Sequence, residues 1–202
     1  MHDIGEWVLR RACEQLADWV SVAPDFRMSV NVSARQIETG LFPEQLASAL
    51  ADSGVAAANL EIEITEGILL SEHKEAAKTL QAVKDMGVKI SLDDFGTGYS
   101  SLNYLKQFPI DLLKIDRSFV GDLHGDDDSR AIVEAIASLA RSLRLTVTAE
   151  GIETEDVIPF LRDQGCHEGQ GYLFGRPMPQ EEFRPLLEQS RVTLENAVHP
   201  VR

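Results

Sequence analysis

Hydrophobic and polar positions along the chain follow two alternating patterns. Short runs rich in β-branched and aliphatic residues are typical of strands; they occupy residues 28–33, 60–65, 88–93, 111–115, 145–150 and 168–174. Between them, apolar residues recur at helical spacing over residues 6–20, 43–53, 72–86, 128–143, 154–164 and 180–190. Repeated strand–helix alternation predicts a parallel sheet with crossover helices.

The predicted strands carry polar residues on one face. In the first strand, Val30 and Val32 alternate with Ser29, Asn31 and Ser33, and the second and fifth strands alternate in the same way. Successive side chains on a strand point to opposite faces. An open doubly wound sheet has helices on both faces and no place for such a polar face, whereas a barrel has an interior. The pattern therefore predicts a TIM-like (β/α) barrel.

Each predicted strand contributes one polar side chain near its carboxyl end. These residues are Asn31, Glu63, Asp93, Lys114, Glu150 and Gln170, and Asp94 follows Asp93 directly. Active sites of β/α barrels lie at this end of the strands. Each residue alone has a structural explanation, such as a solvated carboxylate or a lysine with a packed stem. A polar group at the same level of every strand indicates a shared site instead.

The residue types in this set indicate hard metal ions. Several carboxylates in one barrel mouth repel one another unless a cation neutralises them, and oxygen ligands favour Mg²⁺ or Mn²⁺ over zinc. The tandem Asp93 and Asp94 suit two ions, which activate water and stabilise oxygens at phosphorus. Lys114 is then a candidate to orient water or neutralise phosphate, and Glu150 to bind metal or accept a proton. Residues 95–101 form either an ordinary glycine-rich loop or a mobile cover over the ions.

The net charge and the lengths of the apolar runs limit the classes of binding partner and the cellular compartment that we expect for this chain. The formal net charge is −14, which argues against a DNA or RNA polymer because phosphate contacts need clustered Lys and Arg. A small phosphorylated ligand held by cations remains compatible. No apolar run approaches the roughly 20 residues of a membrane span, and the N-terminal residues lack a signal-peptide pattern. We expect a cytoplasmic protein in which Cys13 and Cys166 are reduced.

Six segments together resemble the EAL-domain family of cyclic di-GMP phosphodiesterases. In chain order they are NVSA (31–34), EIEITE (61–66), DDFGTGYSSL (93–102), KIDRSFV (114–120), AEGIE (149–153) and QGYLFG (170–175). The longest segment is far more specific than a lone glycine motif. The resemblance implies a hydrolase of bacterial second-messenger signalling that opens cyclic di-GMP to linear pGpG with two Mg²⁺ or Mn²⁺ ions.

The same resemblance implies roles for individual residues. Asn31, Glu63, Asp93 and Glu150 match ligands of the first ion, with Asp93 bridging to a second ion on Asp94. Lys114 matches the residue that contacts the nucleophilic water, and Glu150 matches the residue cast as the base. The residues matched to substrate binding or to support of the loop after Asp94 are Glu66, Asp116, Glu153, Gln170 and Tyr172.

The Glu-Ala-Leu motif that names the family is absent from the chain. By resemblance it belongs upstream of the first helix, with two strands that close the barrel, a metal-binding Glu and a phosphate-binding Arg. We therefore expect an incomplete barrel domain over residues 1–190, without the first two family strands, and a C-terminal tail over residues 191–202. Loss of a metal ligand leaves open whether this chain is active, weak or inactive. We expect it to be part of a larger multidomain signalling protein.

Two other functions stay open at this point. One is a non-catalytic module that binds cyclic di-GMP or docks other proteins, although residues 93–98 retain the whole acidic loop motif. The other is an unrelated metal-dependent barrel hydrolase. In either case a barrel without two strands has unpaired edges at residues 28–33 and 168–174, so we expect homo-oligomers or strand exchange.

Overall fold

A curled parallel sheet forms the centre of the protein. The computed structural model describes residues 2–70, 73–97, 105–123 and 125–198. Its strands are β1 (Met28–Asn31), β2 (Leu60–Thr65), β3 (Lys89–Phe95), β4 (Leu112–Ile115), β5 (Thr146–Ala149) and β6 (Glu168–Gly169). All neighbouring pairs are parallel, and the strands lie side by side in chain order. This arrangement confirms the prediction of an incomplete TIM-like barrel.

Helices alternate with the strands along most of the chain, and the first helix precedes β1. They are α1 (His2–Val20), α2 (Ala34–Glu38), α3 (Phe42–Ser53), α4 (His73–Asp85), α5 (Arg117–Gly121), α6 (Asp127–Leu143), α7 (Ile158–Asp163) and α8 (Gln180–Val198). Short 3₁₀ helices occur at Ala57–Asn59, Glu66–Leu70 and Glu155–Val157. None of the helices within the described ranges combines the length and apolar character needed to cross a bilayer.

Two predicted element boundaries differ from the structure. Helix α8 continues to Val198, so the expected division between barrel and tail at residues 190 and 191 falls inside one helix. Strand β6 ends at Gly169, whereas its apolar pattern predicted a strand to residue 174. The chain turns back after Gly169 and hydrogen-bonds to the segment that follows β5, with Ile152 N donating to Gln170 O at 3.0 Å. That contact replaces further pairing along the sheet.

The two faces of the strands divide as the alternation predicted. Ile62 and Ile64 of β2 and Leu113 of β4 are fully buried in the apolar layer beneath the helices. The other face carries buried polar residues, among them Glu63 and Lys114. Buried polar groups require partners, and the interior of the curled sheet provides them.

Contacts between distant parts of the chain connect the two ends of the sheet. Arg27, just before β1, lies 2.5 Å (Nη2 to Oε1) from Glu168 of β6. The ring of Trp19 on α1 packs against Phe183 of α8 with centroids 4.9 Å apart. Arg184 donates to both carboxylate oxygens of Asp18. Helices α1 and α8 are thereby held together beside the opening between β1 and β6.

Candidate metal and phosphodiester site

Lys114 is the centre of a buried charge cluster at the carboxyl ends of the strands. Its side chain is 5% exposed, and its Nζ lies 2.9 Å from Glu63 Oε1, 3.3 Å from Asp93 Oδ1 and 2.5 Å from Glu150 Oε1. These partners come from β2, from β3 and from the residue after β5. The structure therefore brings together four of the side chains that the strand-end pattern selected.

Asp93, Asp94 and Glu150 form a group of neighbouring carboxylates. One carboxylate oxygen from each lies within 4.8 Å of the others. Three oxygens at this spacing, with no sulfur or imidazole among them, are the ligand type that Mg²⁺ and Mn²⁺ prefer. The donor set fits the expected metal ions.

A break in strand geometry lets the tandem aspartates share this mouth. Adjacent residues of a regular strand point to opposite faces, which would place Asp94 outside the barrel. The register of β3 against β4 shifts between Leu92 and Phe95, and Asp94 has a left-handed φ of 55°. Asp94 N donates to Asp93 Oδ1 at 3.1 Å. The bulge and the left-handed residue together turn the second carboxylate back toward the first.

The site holds more negative than positive charge, and pKa values respond to it. Burial raises the pKa of the Asp94 carboxyl, and the charges of Asp93 and Asp116 raise it further. Burial also raises the pKa of Glu150, against the opposing hydrogen bond from Lys114. Burial alone would lower the pKa of Lys114, but its hydrogen bonds to Glu150 and Glu63 raise it above the usual value. Lys114 is therefore cationic, and further positive charge would stabilise the carboxylates.

Asn31 and Glu63 lie one level deeper in the sheet than the carboxylates of Asp93, Asp94 and Glu150. Asn31 is paired in register with Glu63, and Glu63 with Ser91, two residues before Asp93. Glu63 is buried and bound to Lys114, whereas Asn31 is exposed. Both side chains are on the interior face, next to the level of the three carboxylates.

Asp116 lies beside Asp94 at the start of α5. Its Oδ1 accepts hydrogen bonds from Ser118 N at 2.9 Å and Ser118 Oγ at 2.5 Å, so it caps the helix. Burial opposes ionisation, but the bonds from Ser118 and neighbouring backbone groups, followed by one from Asp94, lower the pKa of Asp116. Asp116 stays ionised and keeps a negative charge next to Asp94.

The remaining predicted residues lie around the mouth. Glu66 is buried at the start of the 3₁₀ helix after β2; the loop assigned to it runs through residues 98–101, outside the described residues. Gln170 follows β6, with its backbone N donating to Ala149 O at 2.8 Å. Tyr172 is 52% exposed, and the Arg176 guanidinium lies 4.3 Å from its ring centroid. Glu153 is exposed and lines a cleft of about 410 Å³ with Arg117 and Thr154.

Glu61 is an interior carboxylate that the strand-end pattern did not select. It is 5% exposed, and Ser29 Oγ donates to its Oε1 at 3.2 Å. Burial raises the pKa of Glu61, although hydrogen bonding to Ser91 and the charge of Arg27 lower it. Its position two residues before Glu63 places it on the same face, so the alternation of β2 contained the signal.

Comparisons with known proteins agree on one family. The family model for the EAL domain matches residues 1–177. The bifunctional diguanylate cyclase/cyclic di-GMP phosphodiesterase MucR of Pseudomonas aeruginosa is 44% identical over 181 residues, which are 89% of this chain and 26% of MucR. The chain spans between about a fifth and a third of the curated relatives it matches.

Solved structures share the fold at substantial sequence identity. A complex of the PaMucR phosphodiesterase with c-di-GMP superposes with a TM-score of 0.85 at 43% identity, covering 90% of this chain and 74% of that one. The EAL domain of Mycobacterium smegmatis DcpA gives 0.86 at 37% identity, with 92% and 84% covered. A manganese/cy-diGMP complex of Klebsiella pneumoniae BlrP1 gives 0.74 at 29% identity, with 87% and 45% covered. The chain belongs to the EAL domain family.

Proposed function

We propose that this chain carries the site of a metal-dependent phosphodiesterase that hydrolyses cyclic di-GMP to linear pGpG. The observation that carries the proposal is the convergence of Glu63, Asp93 and Glu150 on Lys114, with Asp94 turned into the same mouth. The relative MucR is described as a cyclic di-GMP phosphodiesterase, and the similar PaMucR and BlrP1 structures are complexes with cyclic di-GMP. These relatives support cyclic di-GMP as the substrate.

Asp93, Asp94 and Glu150 are the residues that would hold two Mg²⁺ or Mn²⁺ ions, with Glu63 and Asn31 beside them. When bound, such ions make a water molecule acidic and stabilise negative charge on a phosphodiester. The donor set and the manganese complex of BlrP1 support this choice of metal.

The charge states of Lys114 and Glu150 suit them to different roles in the reaction. Lys114 keeps its proton among three carboxylates, so its ammonium group is suited to orient the attacking water and to neutralise a phosphate oxygen. Glu150 has a raised pKa and lies beside Lys114, which suits it to accept a proton from that water. Gln170 and Tyr172 lie on the turn after β6, where they would contact the dinucleotide.

The setting of the site belongs to the same proposal. We infer a cytoplasmic, homo-oligomeric signalling protein in which this barrel is one domain among several. The small fraction of the relatives' length that the chain spans supports a multidomain context. The formal net charge of −14 and the cluster of acidic groups fit a small ligand held through cations.

A hydrolysis assay with matched variants tests the proposal. Chromatography should detect pGpG when the chain is incubated with cyclic di-GMP and Mn²⁺, and Asp93→Asn should reduce the rate by about 100-fold or more because the ligand charge is lost. The control Asp163→Asn changes an exposed residue at the end of α7 and should leave the rate unchanged.

Calorimetry separates the enzyme from a sensor. Cyclic di-GMP binding in Ca²⁺ without any pGpG in Mn²⁺ would replace hydrolysis with a non-catalytic binding function. Failure to bind either Mn²⁺ or the dinucleotide would overturn both functions.

A further inference from the structure

The turn that follows β6 brackets the backbone of Ile152. Ile152 N donates to Gln170 O at 3.0 Å, and Leu173 N donates to Ile152 O at 3.0 Å. The Ile152 side chain is 3% exposed. One peptide segment is thus bound on both its donor and its acceptor side by residues of the turn.

Gly171 permits this bracket because it has no side chain. A Cβ atom at residue 171 would lie 2.1 Å from Ile152 O and 2.3 Å from Ile152 N, and both are backbone atoms. Ordinary van der Waals contact begins at 3.4 Å. A methyl group there would therefore push the two backbones apart by about 1 Å.

A second glycine, Gly151, allows a close approach between the same segment and the residues that follow β4. Gly151 has a φ of 72°, and a Cβ atom there would lie 2.4 Å from Arg117 Cβ. Glu150 N donates to Ile115 O at 3.1 Å, which fixes the segment to the end of β4. Residues 150–152 are therefore confined between the start of α5 and the turn after β6.

We propose that Gly171 is a positioning residue for the carboxylate site, acting through Ile152 on Glu150. The proposal rests on the function proposed above. Glu150 lies two residues from Ile152 and must keep its oxygen within 4.8 Å of those of Asp93 and Asp94. Metal–ligand distances tolerate changes of only about 0.2 Å. A displacement of about 1 Å at Ile152 is large on that scale, and it also moves Gln170, whose carbonyl forms the bracket.

Three glycine-to-alanine variants form a graded test. In Gly171→Ala the new Cβ atom clashes with backbone atoms. In Gly169→Ala the new Cβ atom would lie 2.7 Å from Ile152 Cδ1, which is the end of a side chain. In Gly175→Ala the nearest atom to the new Cβ would be Met178 Cε, at 3.8 Å. We expect Gly171→Ala to weaken Mn²⁺ binding by about tenfold or more, because substitution of residues that support metal ligands commonly has an effect of this size. Gly169→Ala should weaken it by a smaller factor, and Gly175→Ala should match wild type.

Mn²⁺ affinity is measured by calorimetry, with circular dichroism and urea unfolding as measures of folding. A purely structural role would change the urea midpoint and leave the Mn²⁺ affinity of the folded variant unchanged. Wild-type affinity in folded Gly171→Ala overturns the positioning role. If Gly171→Ala does not fold, wild-type affinity in Gly169→Ala overturns it and a weakened affinity supports it. A wild-type chain that binds no Mn²⁺ overturns the proposed function and this role together.

Discussion

Lys114 Nζ and Glu150 Oε1 lie 2.5 Å apart, although one residue belongs to β4 and the other follows β5. The register of Lys114 beside Thr148 places Glu150 two residues further toward the mouth. A lysine side chain is long enough to span that step. Because Lys114 also binds Glu63, its side chain joins the deeper level of Glu63 to the level of the Asp93, Asp94 and Glu150 carboxylates.

Replacing Lys114 by Met should destabilise the fold and abolish hydrolysis. Removing one partner of a buried ion pair leaves uncompensated charge and costs about 3–5 kcal/mol. Urea unfolding measures the loss, and Lys78→Met is the control because its lysine is exposed and pairs only with Glu75 in the described contacts. An unfolding free energy equal to wild type would show that Lys114 does not compensate the carboxylates.

Replacing Asp94 by Asn should lower the number of Mn²⁺ ions bound per chain from two to one. Asn accepts the left-handed backbone of this position, so the bulge should persist while the ligand charge is lost. Calorimetric stoichiometry checks the outcome, with Asp163→Asn as the unaffected control. Two ions on the variant would remove Asp94 from the ligand set.

The helix cap formed by Asp126 should make stability depend on pH in acid. Hydrogen bonds from Ser129, followed by one from Asp128 N, lower the pKa of Asp126 at the start of α6. Its contribution is then fully present above the unfolded pKa, about 3.9, and is lost as pH falls through the lower folded pKa. The difference in urea midpoint between wild type and Asp126→Ala should be constant above pH 5 and shrink toward pH 2. A difference independent of pH would exclude the carboxylate as the cap.

Much of the fold follows directly from the alternation of residues in the strands. β-Branched residues opposite polar ones gave the barrel, its polar interior and the strand-end positions of Glu63, Asp93, Lys114 and Glu150. Gly54 ends α3 with a left-handed φ of 71°, a conformation that glycine adopts readily. These features depend on local periodicity, which a sequence displays.

Features that depend on contacts between segments were not readable from the sequence. The register shift in β3 arises from its pairing with β4, so the direction of Asp94 required three-dimensional information. The early end of β6 arises from hydrogen bonding between Ile152 and the turn, which competes with a local pattern favouring a strand. The ion pair of Arg27 and Glu168 joins residues that no spacing rule connects.

The outer edges of β1 and β6 pair with no further strand among the described residues, and these edges should cause the chain to self-associate. Beside β1, the exposed side chain of Trp7 (65%) lines a groove with Val8 and Met28, and exposed edges pair with other chains. Light scattering should give a mass above that of one chain, and Trp7→Lys should lower it. The control Ile132→Lys, on α6, should not. A strictly monomeric wild type would contradict the prediction.

The chain-order arrangement of the strands also affects how the protein opens. In the part of the sheet that the structure describes, each interior strand pairs only with its sequence neighbours. This resembles a linear array of repeats, in which cooperativity passes from one unit to the next. The terminal strands β1 and β6 each have one neighbouring strand within the described sheet. They are also stabilised by the ion pair of Arg27 with Glu168 and by the contacts of α1 with α8. Fraying should therefore begin at β1 and β6, and amide hydrogens of β3 should exchange last.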